Sequence, residues 1–321
     1  MEEQNIGLVF PGQGSQFVGM GEDLYREKEV FRDVLHRAQD ILEMDMLSLW
    51  TKGPRETLDQ TLFTQLAVLV FELAAWEAFR NEMGLRPRVA AGHSLGEYSA
   101  IYASGALDLA SVLSLVRVRA QRHEDAVPAG TGAMLAILGL DGGTVERLCS
   151  EESREGEAVD VANLNAPIQV VVSGHARAVE RLARSAEKAG AKKTVPLPIS
   201  VPCHSRLLRT AADLFEESLK RVTFKAFQIP VIPNCDPAAF YTPENAAGLL
   251  KRQIVSPVRW QETVERMAAL GIDTIVEIGP RKVLSGLVKN INRNIRLFYV
   301  GDVSTLRSTG AALCAPPSPG T

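Results

Sequence analysis

The hydrophobic pattern of the chain alternates between short apolar runs and longer segments with apolar residues at every third and fourth position. Ile6–Phe10 and residues 89–91 are apolar runs typical of buried strands, whereas residues 23–50 and 64–83 have the spacing of helices. Further helices are predicted over residues 97–104 and 109–124. Strands that alternate with helices in this way predict an α/β fold with a mainly parallel sheet covered on both faces.

The pattern changes over residues 131–200, where the predicted elements follow in the order β-α-β-β-α-β. The strands are predicted at residues 134–140, 159–162, 168–172 and 193–197, with helices at 143–150 and 177–189 and a turn at 163–167. This order is typical of the ferredoxin-like unit, which folds as a compact piece of its own. The predicted division is therefore a large subdomain of residues 1–130 and 201–308, interrupted by a ferredoxin-like small subdomain of residues 131–200.

The large subdomain resumes after this insertion with more alternating elements. Helices are predicted at residues 205–219, 245–253, 260–270 and 283–290, and strands at 230–232, 273–278 and Arg296–Val300. The chain ends in a stretch rich in Ala, Pro, Ser and Gly, and we expect residues 309–321 to form a disordered tail.

Composition narrows the class of protein. The 321 residues are 46% apolar and 23% charged, and the formal net charge of −3 argues against a general nucleic-acid binder. The four cysteines lack C-x-x-C spacing, which argues against zinc and redox motifs and fits a reducing compartment. The N-terminus lacks the order of a signal peptide, and the apolar run 66–71 is too short to span a bilayer. We expect a soluble, cytoplasmic monomer without a metal, membrane or nucleic-acid partner.

A candidate nucleophile follows the second predicted strand. The run Gly92-His93-Ser94-Leu95-Gly96 fits G-x-S-x-G, which lifts a serine onto a sharp strand-to-helix turn with its hydroxyl exposed. The N–H after the serine would lie at a helix N-terminus, where the dipole favours a developing negative charge. The alternative is a glycine-containing connection in which Ser94 only caps the helix.

The loop after the first strand, Pro11-Gly12-Gln13-Gly14-Ser15-Gln16, has two interpretations. A dinucleotide-binding loop would need a third glycine at position 17, which is Phe17 here. A loop rich in backbone N–H groups beside the serine strand can instead supply an oxyanion donor.

An activated serine needs a base, and the chain has five histidines. His93 adjoins the serine on a sharp turn and should point away, while His36 and His175 have surface or capping explanations. His123 is a weak candidate. His204 is the best of the five, because it follows a proline-stiffened segment just where the chain returns from the insertion.

Arg119 is the second chemical feature, inside an otherwise apolar helical segment. A guanidinium near the nucleophile would bind a substrate carboxylate in bidentate fashion. The alternative is a solvated surface arginine, and the pattern alone does not separate the two.

Several motifs together resemble a known family. They are Phe10-Pro11-Gly12-Gln13-Gly14-Ser15-Gln16, Gly92-His93-Ser94-Leu95-Gly96-Glu97-Tyr98, Ala126-Val127-Pro128-Ala129-Gly130-Thr131-Gly132-Ala133-Met134, Val201-Pro202-Cys203-His204-Ser205, Pro257-Val258-Arg259-Trp260 and Glu277-Ile278-Gly279-Pro280, followed by Leu284 and Leu287. In this order and spacing the chain, from about residue 5 to residue 300, resembles malonyl-CoA:acyl carrier protein transacylases and the related acyltransferase domains of polyketide synthases.

The resemblance implies an α/β-hydrolase-like large subdomain and a ping-pong acyl transfer without a cofactor. Ser94 would attack the malonyl thioester with His204 as general base, and the phosphopantetheine thiol of an acyl carrier protein would then take the malonyl group. The backbone N–H groups of Gln13 and Leu95 would form the oxyanion hole. Arg119 and Gln253 match residues that bind the malonyl carboxylate. Asn234 lies in the region whose backbone carbonyl orients the histidine in place of a triad acid.

Four positions depart from the family pattern and leave the breadth of acyl selectivity open. Ala120 and His123 stand where relatives usually have glycine and methionine, Cys203 where they often have phenylalanine or serine, and Leu66 where they usually have proline.

Other functions remain open at this level. The serine motif does not exclude a thioesterase or esterase, although the Gly-Gln-Gly loop and Arg119 fit transfer better. The carrier could serve fatty-acid or polyketide synthesis. A non-catalytic carrier adaptor is a further alternative, against which the intact Ser94, His204 and Arg119 argue. Acyl carrier proteins are acidic, so a local basic surface is expected to meet them. The candidates by charge and position are Lys188, Lys192, Lys193, Arg206, Lys289 and Arg293.

Overall fold

Two β-sheets organise the chain in a computed structural model that describes residues 5–128, 130–199 and 201–314. The strands are β1 (Ile6–Phe10), β2 (Val89–Gly92), β3 (Gly132–Leu138), β4 (Val159–Ala166), β5 (Gln169–His175), β6 (Lys193–Pro196), β7 (Thr274–Ile278) and β8 (Arg296–Val300). The helices are α1 (Glu22–Glu27), α2 (Glu29–Leu42), α3 (Met46–Lys52), α4 (Arg55–Leu58), α5 (Thr61–Met83), α6 (Gly96–Ala103), α7 (Leu109–Asp125), α8 (Gly142–Glu152), α9 (Ala176–Lys188), α10 (Arg209–Leu219), α11 (Ala246–Ile254), α12 (Trp260–Ala269), α13 (Leu284–Ile291) and α14 (Val303–Cys314).

The first sheet is parallel, with strand order β2-β1-β7-β8. Every residue of β1, β2 and β7 is buried, because helices cover both faces of the sheet. The carboxyl ends of β1 and β2 are neighbours, since Phe10 pairs with Gly92. This register brings the loop after β1 beside the serine turn after β2.

The second sheet is antiparallel, with order β4-β5-β3-β6. Helices α8 and α9 pack on one face around a cluster that includes Ile137, Val145 and Leu182. The other face carries Met134, Ala162 and Val171. The α/β class, the mainly parallel sheet and the ferredoxin-like unit predicted from sequence are confirmed.

Two predicted elements differ in extent, one at its asparagines and one at its prolines. The predicted turn at 163–167 is largely strand, because β4 continues to Ala166. Its pairing with β5 has two register shifts, and these lie just before Asn163 and at Asn165. The predicted strand at 230–232 is reduced to one bridge between Val231 and Ala90. Prolines on both sides of that segment lack an N–H, so a longer ladder cannot form there.

The long helix predicted over residues 23–50 is divided into α1, α2 and α3. Lys28 is extended between the first two helices, and Glu43 adopts a left-handed conformation after the second. Asp45 then begins α3 by accepting a hydrogen bond from the Ser48 N–H. Amphipathic spacing continues across all three helices, so the spacing alone did not reveal the breaks.

The predicted disordered tail began too early. Helix α14 runs to Cys314, and Leu306, Thr309 and Leu313 are buried on it. An apolar helical face against the core orders a segment whose composition suggested disorder. Residues 315–321 lie outside the described residues.

Helix α5 is mostly buried, with mainly apolar residues on all of its faces. By length and composition it could cross a membrane, and it is the one helix among the described residues of which this is true. However, 83% of its most apolar 18-residue window is buried inside the fold. Core helices pass the same test.

Candidate active site

Ser94 lies on the sharp turn between β2 and α6, in a left-handed conformation with φ of 54°. A Cβ on Gly92 would lie 1.9 Å from the Gly96 carbonyl carbon, and one on Gly96 would lie 2.1 Å from the Phe10 oxygen, so both positions need glycine. Leu95 is the N-cap of α6 and makes no side-chain capping bond. The capping interpretation of Ser94 is therefore wrong, and its strained backbone holds the hydroxyl where chemistry can use it.

Ser94 and His204 form a hydrogen-bonded pair. The Ser94 Oγ lies 2.7 Å from the His204 Nε2, and His204 Nδ1 lies 2.9 Å from the backbone oxygen of Gln253. A carbonyl oxygen can only accept, so Nδ1 carries the proton and Nε2 is free to accept the serine proton. His204 also has a left-handed φ, of 59°. Burial, followed by the charge of Arg119, lowers the pKa of His204 to about 3, so its imidazole is neutral.

Asn234 has a different role from the predicted one. Its backbone carbonyl accepts from the Arg259 N–H, and the carbonyl that orients His204 belongs to Gln253. Gln253 lies in the last turn of α11, where carbonyls have no donor within the helix. The Asn234 side chain instead holds the serine turn, accepting from the Ser94 N–H at 2.7 Å and donating to the Gly92 oxygen at 2.6 Å.

Arg119 is 2% exposed, so its interpretation as a solvated arginine is wrong. Its Nη1 donates to Gln65 Oε1 at 2.5 Å, and its Nη2 donates to Ser94 Oγ and Gln253 Oε1, each at 3.2 Å. The guanidinium lies over the Tyr98 ring, 5.5 Å from its centroid. No carboxylate in the described part of the chain forms an ion pair with Arg119. A buried cation held only by neutral oxygens beside the nucleophile is suited to an anionic ligand.

The loop after β1 lies directly against the serine turn. A Cβ on Gly12 would lie 2.5 Å from the His93 oxygen and 3.7 Å from the Leu95 nitrogen. Within the described residues the backbone N–H groups of Gln13 and Leu95 have no hydrogen-bond acceptor. Two unused donors beside Ser94, one of them at the N-terminus of α6, can stabilise an oxyanion.

A cavity of ≈ 290 Å³ lies beside Ser94 and His204 and is lined by residues of both subdomains. The large subdomain contributes Gly12, Gln13, His93, Ser94, Cys203, His204, Val283, Leu284 and Leu287. The small subdomain contributes Met134, Asn163, Asn165, Gln169, Val171, Leu197 and Ile199. Burial raises the pKa of the Cys203 thiol to about 11, so this cavity residue is a neutral thiol rather than a second nucleophile.

The other four histidines form no hydrogen bond with the Ser94 hydroxyl among the described residues. His93 directs Nε2 to Asn165 at 2.8 Å, His175 bonds to the backbone of Ala158, and His36 is exposed. His123 is 1% exposed on the same face of α7 as Arg119, and neither of its ring nitrogens has a partner among the described residues. Burial lowers the pKa of His123 well below its ordinary value.

Sequence reasoning missed two polar residues of the site, Gln65 and Glu97. Gln65 accepts from Arg119, and Glu97 accepts from the Gln253 amide. Both lie in mostly apolar helical segments, and a polar residue at a position expected to be buried was the signal that could have identified them. In the described part of the chain no group of His, Cys, Asp or Glu could hold a metal ion.

Replacing Asn234 by alanine is expected to lower the free energy of unfolding by about 2–4 kcal/mol and to slow acylation of Ser94 roughly 10-fold. The loss leaves the Ser94 N–H and the Gly92 carbonyl unpaired in the interior. Chemical denaturation and single-turnover acylation measure the two effects.

Asn245→Ala is the matched control for this prediction. The Asn245 side chain also accepts from one backbone N–H, at 2.8 Å from Thr242, and donates to one carbonyl, at 3.0 Å from Phe240. It should lower stability without slowing acylation, and equal rates in the two variants would contradict the role given to Asn234.

Comparison with known proteins gives consistent matches over nearly the whole chain. Residues 8–310 match the acyl transferase domain family. The malonyl CoA-acyl carrier protein transacylase of Escherichia coli (strain K12) is 42% identical over 286 residues, covering 89% of this chain and 92% of that protein. An acyl carrier protein S-malonyltransferase structure from Vibrio cholerae has a TM-score of 0.92 at 43% identity, covering 95% of this chain and 100% of that one. A solved complex of a type II polyketide synthase acyl-carrier protein with its malonyl-transacylase matches with a TM-score of 0.93 at 39% identity, covering 96% of this chain and 99% of the matched chain.

Proposed function

Because this chain belongs to the acyl transferase family, with malonyl CoA-acyl carrier protein transacylases as relatives, we propose that it is a malonyltransferase. It moves the malonyl group from malonyl-CoA to the phosphopantetheine thiol of an acyl carrier protein. The transfer is ping-pong, with a malonyl-Ser94 ester as the intermediate.

In the first half-reaction the Ser94 Oγ attacks the thioester carbonyl carbon while its proton passes to His204 Nε2, 2.7 Å away. The N–H groups of Gln13 and Leu95 stabilise the resulting oxyanion. The carbon–sulfur bond then breaks, and the proton on His204 passes to the CoA sulfur. In the second half-reaction the carrier thiol gives its proton to His204, attacks the ester carbonyl and returns Ser94 to its hydroxyl form.

The observation that carries this proposal is the buried Arg119 guanidinium at 3.2 Å from the Ser94 Oγ, without a carboxylate partner among the described residues. The malonyl carboxylate supplies that partner, with the Gln253 side chain beside it. Binding of the carboxylate also offsets the charge that lowers the pKa of His204. The acyl group that fits the site therefore makes His204 a stronger base when it binds.

Two other functions fit the same nucleophile. A thioesterase or hydrolase would use Ser94 and His204 but has no need for a buried guanidinium beside the acyl group. A discrete acyltransferase that loads polyketide synthase carrier proteins would use every residue of the site. The similarity to a malonyl-transacylase bound to a type II polyketide synthase carrier favours keeping this second alternative.

Acidic carrier proteins need basic groups whose charge is still available. Arg206 is engaged with Asp160 at 2.8 Å from Nε to Oδ1, so it is the weakest of the predicted candidates. Lys188, Lys192, Lys193, Lys289 and Arg293 are exposed and have no ion pair within the described residues, and they remain candidates for the carrier surface.

The remaining proposals follow from the same fold. We propose that the large subdomain consists of residues 1–130 and 201–308 and the small one of residues 131–200, since strands β3 to β6 all lie within residues 131–200. The reaction needs no cofactor, because serine, histidine and backbone donors supply all of its chemistry. We propose that the protein is a monomer in the cytoplasm, where malonyl-CoA and the carrier protein would both reach the cavity.

Intact-protein mass spectrometry after brief incubation with malonyl-CoA tests the proposal. We expect a malonyl adduct on the wild type, none on Ser94→Ala, and discharge of the adduct by holo-carrier protein. Acetyl-CoA in parallel measures acyl preference. Steady CoA release without an adduct or acceptor would favour a hydrolase, and neither adduct nor release would favour a carrier-binding adaptor.

A further inference from the structure

Glu97 is a fully buried carboxylate on α6 that the reaction described above does not use. It accepts hydrogen bonds from the Tyr241 hydroxyl, from Gln253 Nε2 at 2.7 Å, and from the Asn234 N–H at 3.4 Å. All three donors lie in the segment from Asn234 to Gln253. Hydrogen bonds from this many donors to one buried carboxylate fix the position of that segment.

The partners of Gln253 determine which way its side-chain amide is turned. Its Nε2 lies between two acceptors, the Ser94 carbonyl at 2.8 Å and the Glu97 carboxylate at 2.7 Å. Its Oε1 lies 3.2 Å from Arg119 Nη2, which can only donate. Because the Glu97 carboxylate and the Ser94 carbonyl both require a donor, the amide oxygen is directed towards the guanidinium.

The same residue also carries the carbonyl that orients His204. Gln253 thus links the base through its backbone with Arg119 through its side chain, and Glu97 is the anchor of the side chain. Resting on the proposed malonyl transfer, we propose that Glu97 is a positioning residue for malonyl selectivity. It acts through Gln253 to hold Arg119 in the place where the acyl carboxylate binds.

The charge of Glu97 matters for this role. The titratable and charged groups that face it are Arg119 on α7, Tyr98 on its own helix, and Tyr241 and Cys235 on the segment before α11. Burial raises the pKa of Glu97 to about 7, while the hydrogen bonds from Tyr241, Gln253 and Asn234 and the charge of Arg119 act in the opposite direction. The carboxylate form accepts from Gln253 more strongly, so malonyl preference should rise as the pH increases through about 7. The pKa of His204, at about 3, lies outside this window.

Glu97→Gln tests the proposal, because glutamine keeps the size but removes the charge and can present either end of its amide to Gln253. We expect the ratio of malonyl to acetyl acylation rate constants at Ser94 to fall about 10- to 100-fold and to lose its pH dependence near neutrality. Glu72→Gln is the matched control. Glu72 is equally buried, bonds to Ser99 on the same α6, and makes no bond to Gln253, so its substitution should leave the ratio unchanged. A purely structural role for Glu97 would slow malonyl and acetyl acylation equally and would overturn the proposal.

A second readout does not depend on malonyl transfer. We expect a fluorophosphonate probe to label Ser94, and free malonate should protect the wild type by occupying the Arg119 site. Weaker protection in Glu97→Gln supports the proposal even if malonyl-CoA does not acylate the wild type, which would refute the proposed function alone. Equal protection in both proteins would overturn the positioning role.

If Glu97→Gln fails to fold, Tyr241→Phe replaces it. This change removes a donor to the carboxylate and should shift the pH midpoint of malonyl preference upward, because fewer donors raise the pKa of Glu97. An unchanged midpoint in a folded Tyr241→Phe protein would overturn the proposal.

Discussion

Replacing His204 by alanine is expected to slow acylation of Ser94 by malonyl-CoA by at least about 10⁴-fold. Without the imidazole, the serine proton has no acceptor, since the other neighbour of Ser94 Oγ is Arg119, which can only donate. The oxyanion donors and the carboxylate site remain, so malonyl-CoA should still bind. Single-turnover acylation followed by quench and mass spectrometry measures the rate, and titration calorimetry with malonyl-CoA measures binding.

The control for this variant is His36→Ala, which removes an exposed imidazole whose hydrogen bond within the described residues is to Tyr25. It should acylate at the wild-type rate. If thermal denaturation shows that the His204→Ala protein is folded, an acylation rate within about tenfold of the wild-type rate would contradict the assignment of the base.

Replacing Arg119 by alanine is expected to lower malonyl acylation about 10²- to 10³-fold while acetyl acylation is retained or increased. The malonyl carboxylate would then enter a buried site without a cation, which costs free energy that a neutral acetyl group does not incur. Removal of the guanidinium also removes a charge that lowers the pKa of His204, so the base becomes stronger for acyl groups that do not need Arg119. Parallel acylation with malonyl-CoA and acetyl-CoA gives the ratio directly.

Arg117→Ala is the matched control for Arg119. Arg117 lies on the same helix two positions earlier, and its guanidinium donates to the Leu42 carbonyl rather than towards Ser94. Its removal should leave the malonyl to acetyl ratio unchanged. An unchanged ratio in Arg119→Ala as well would refute the carboxylate site, whereas Arg119→Lys should recover part of the malonyl rate because it keeps the charge but loses the planar fork.

Local patterns were enough to predict most of the fold. Ile6–Phe10 and Arg296–Val300 are strands with the predicted bounds, and the antiparallel unit has its predicted order. Where local rules failed, a contact distant in sequence had overridden them. The C-terminal helix α14 is ordered by the core on which it packs, and β4 extends past its asparagines while the Leu164 N–H bonds to the Val258 carbonyl.

The sequence by itself predicted the serine turn, because Gly92, Ser94 and Gly96 fit G-x-S-x-G. The clash that requires glycine at position 92 is with Gly96 in the same turn, whereas the clash at position 96 is with the Phe10 carbonyl of β1. The sequence also ranked His204 first among the histidines, from the stiff segment before it. The sequence left Arg119 undecided between surface and site, assigned the histidine-orienting carbonyl to Asn234, and passed over Gln65 and Glu97.

Only the tertiary structure decided these points, and the physical reason is the range of the interactions. Whether Arg119 is solvated depends on what packs over its helix, and its oxygen partners lie 25, 54 and 134 positions away. The carbonyl that faces His204 is 49 positions from it, and its availability follows from where α11 ends. Periodicity and turn chemistry report on neighbours along the chain, whereas the pairing of buried polar atoms depends on which distant segments the core brings together.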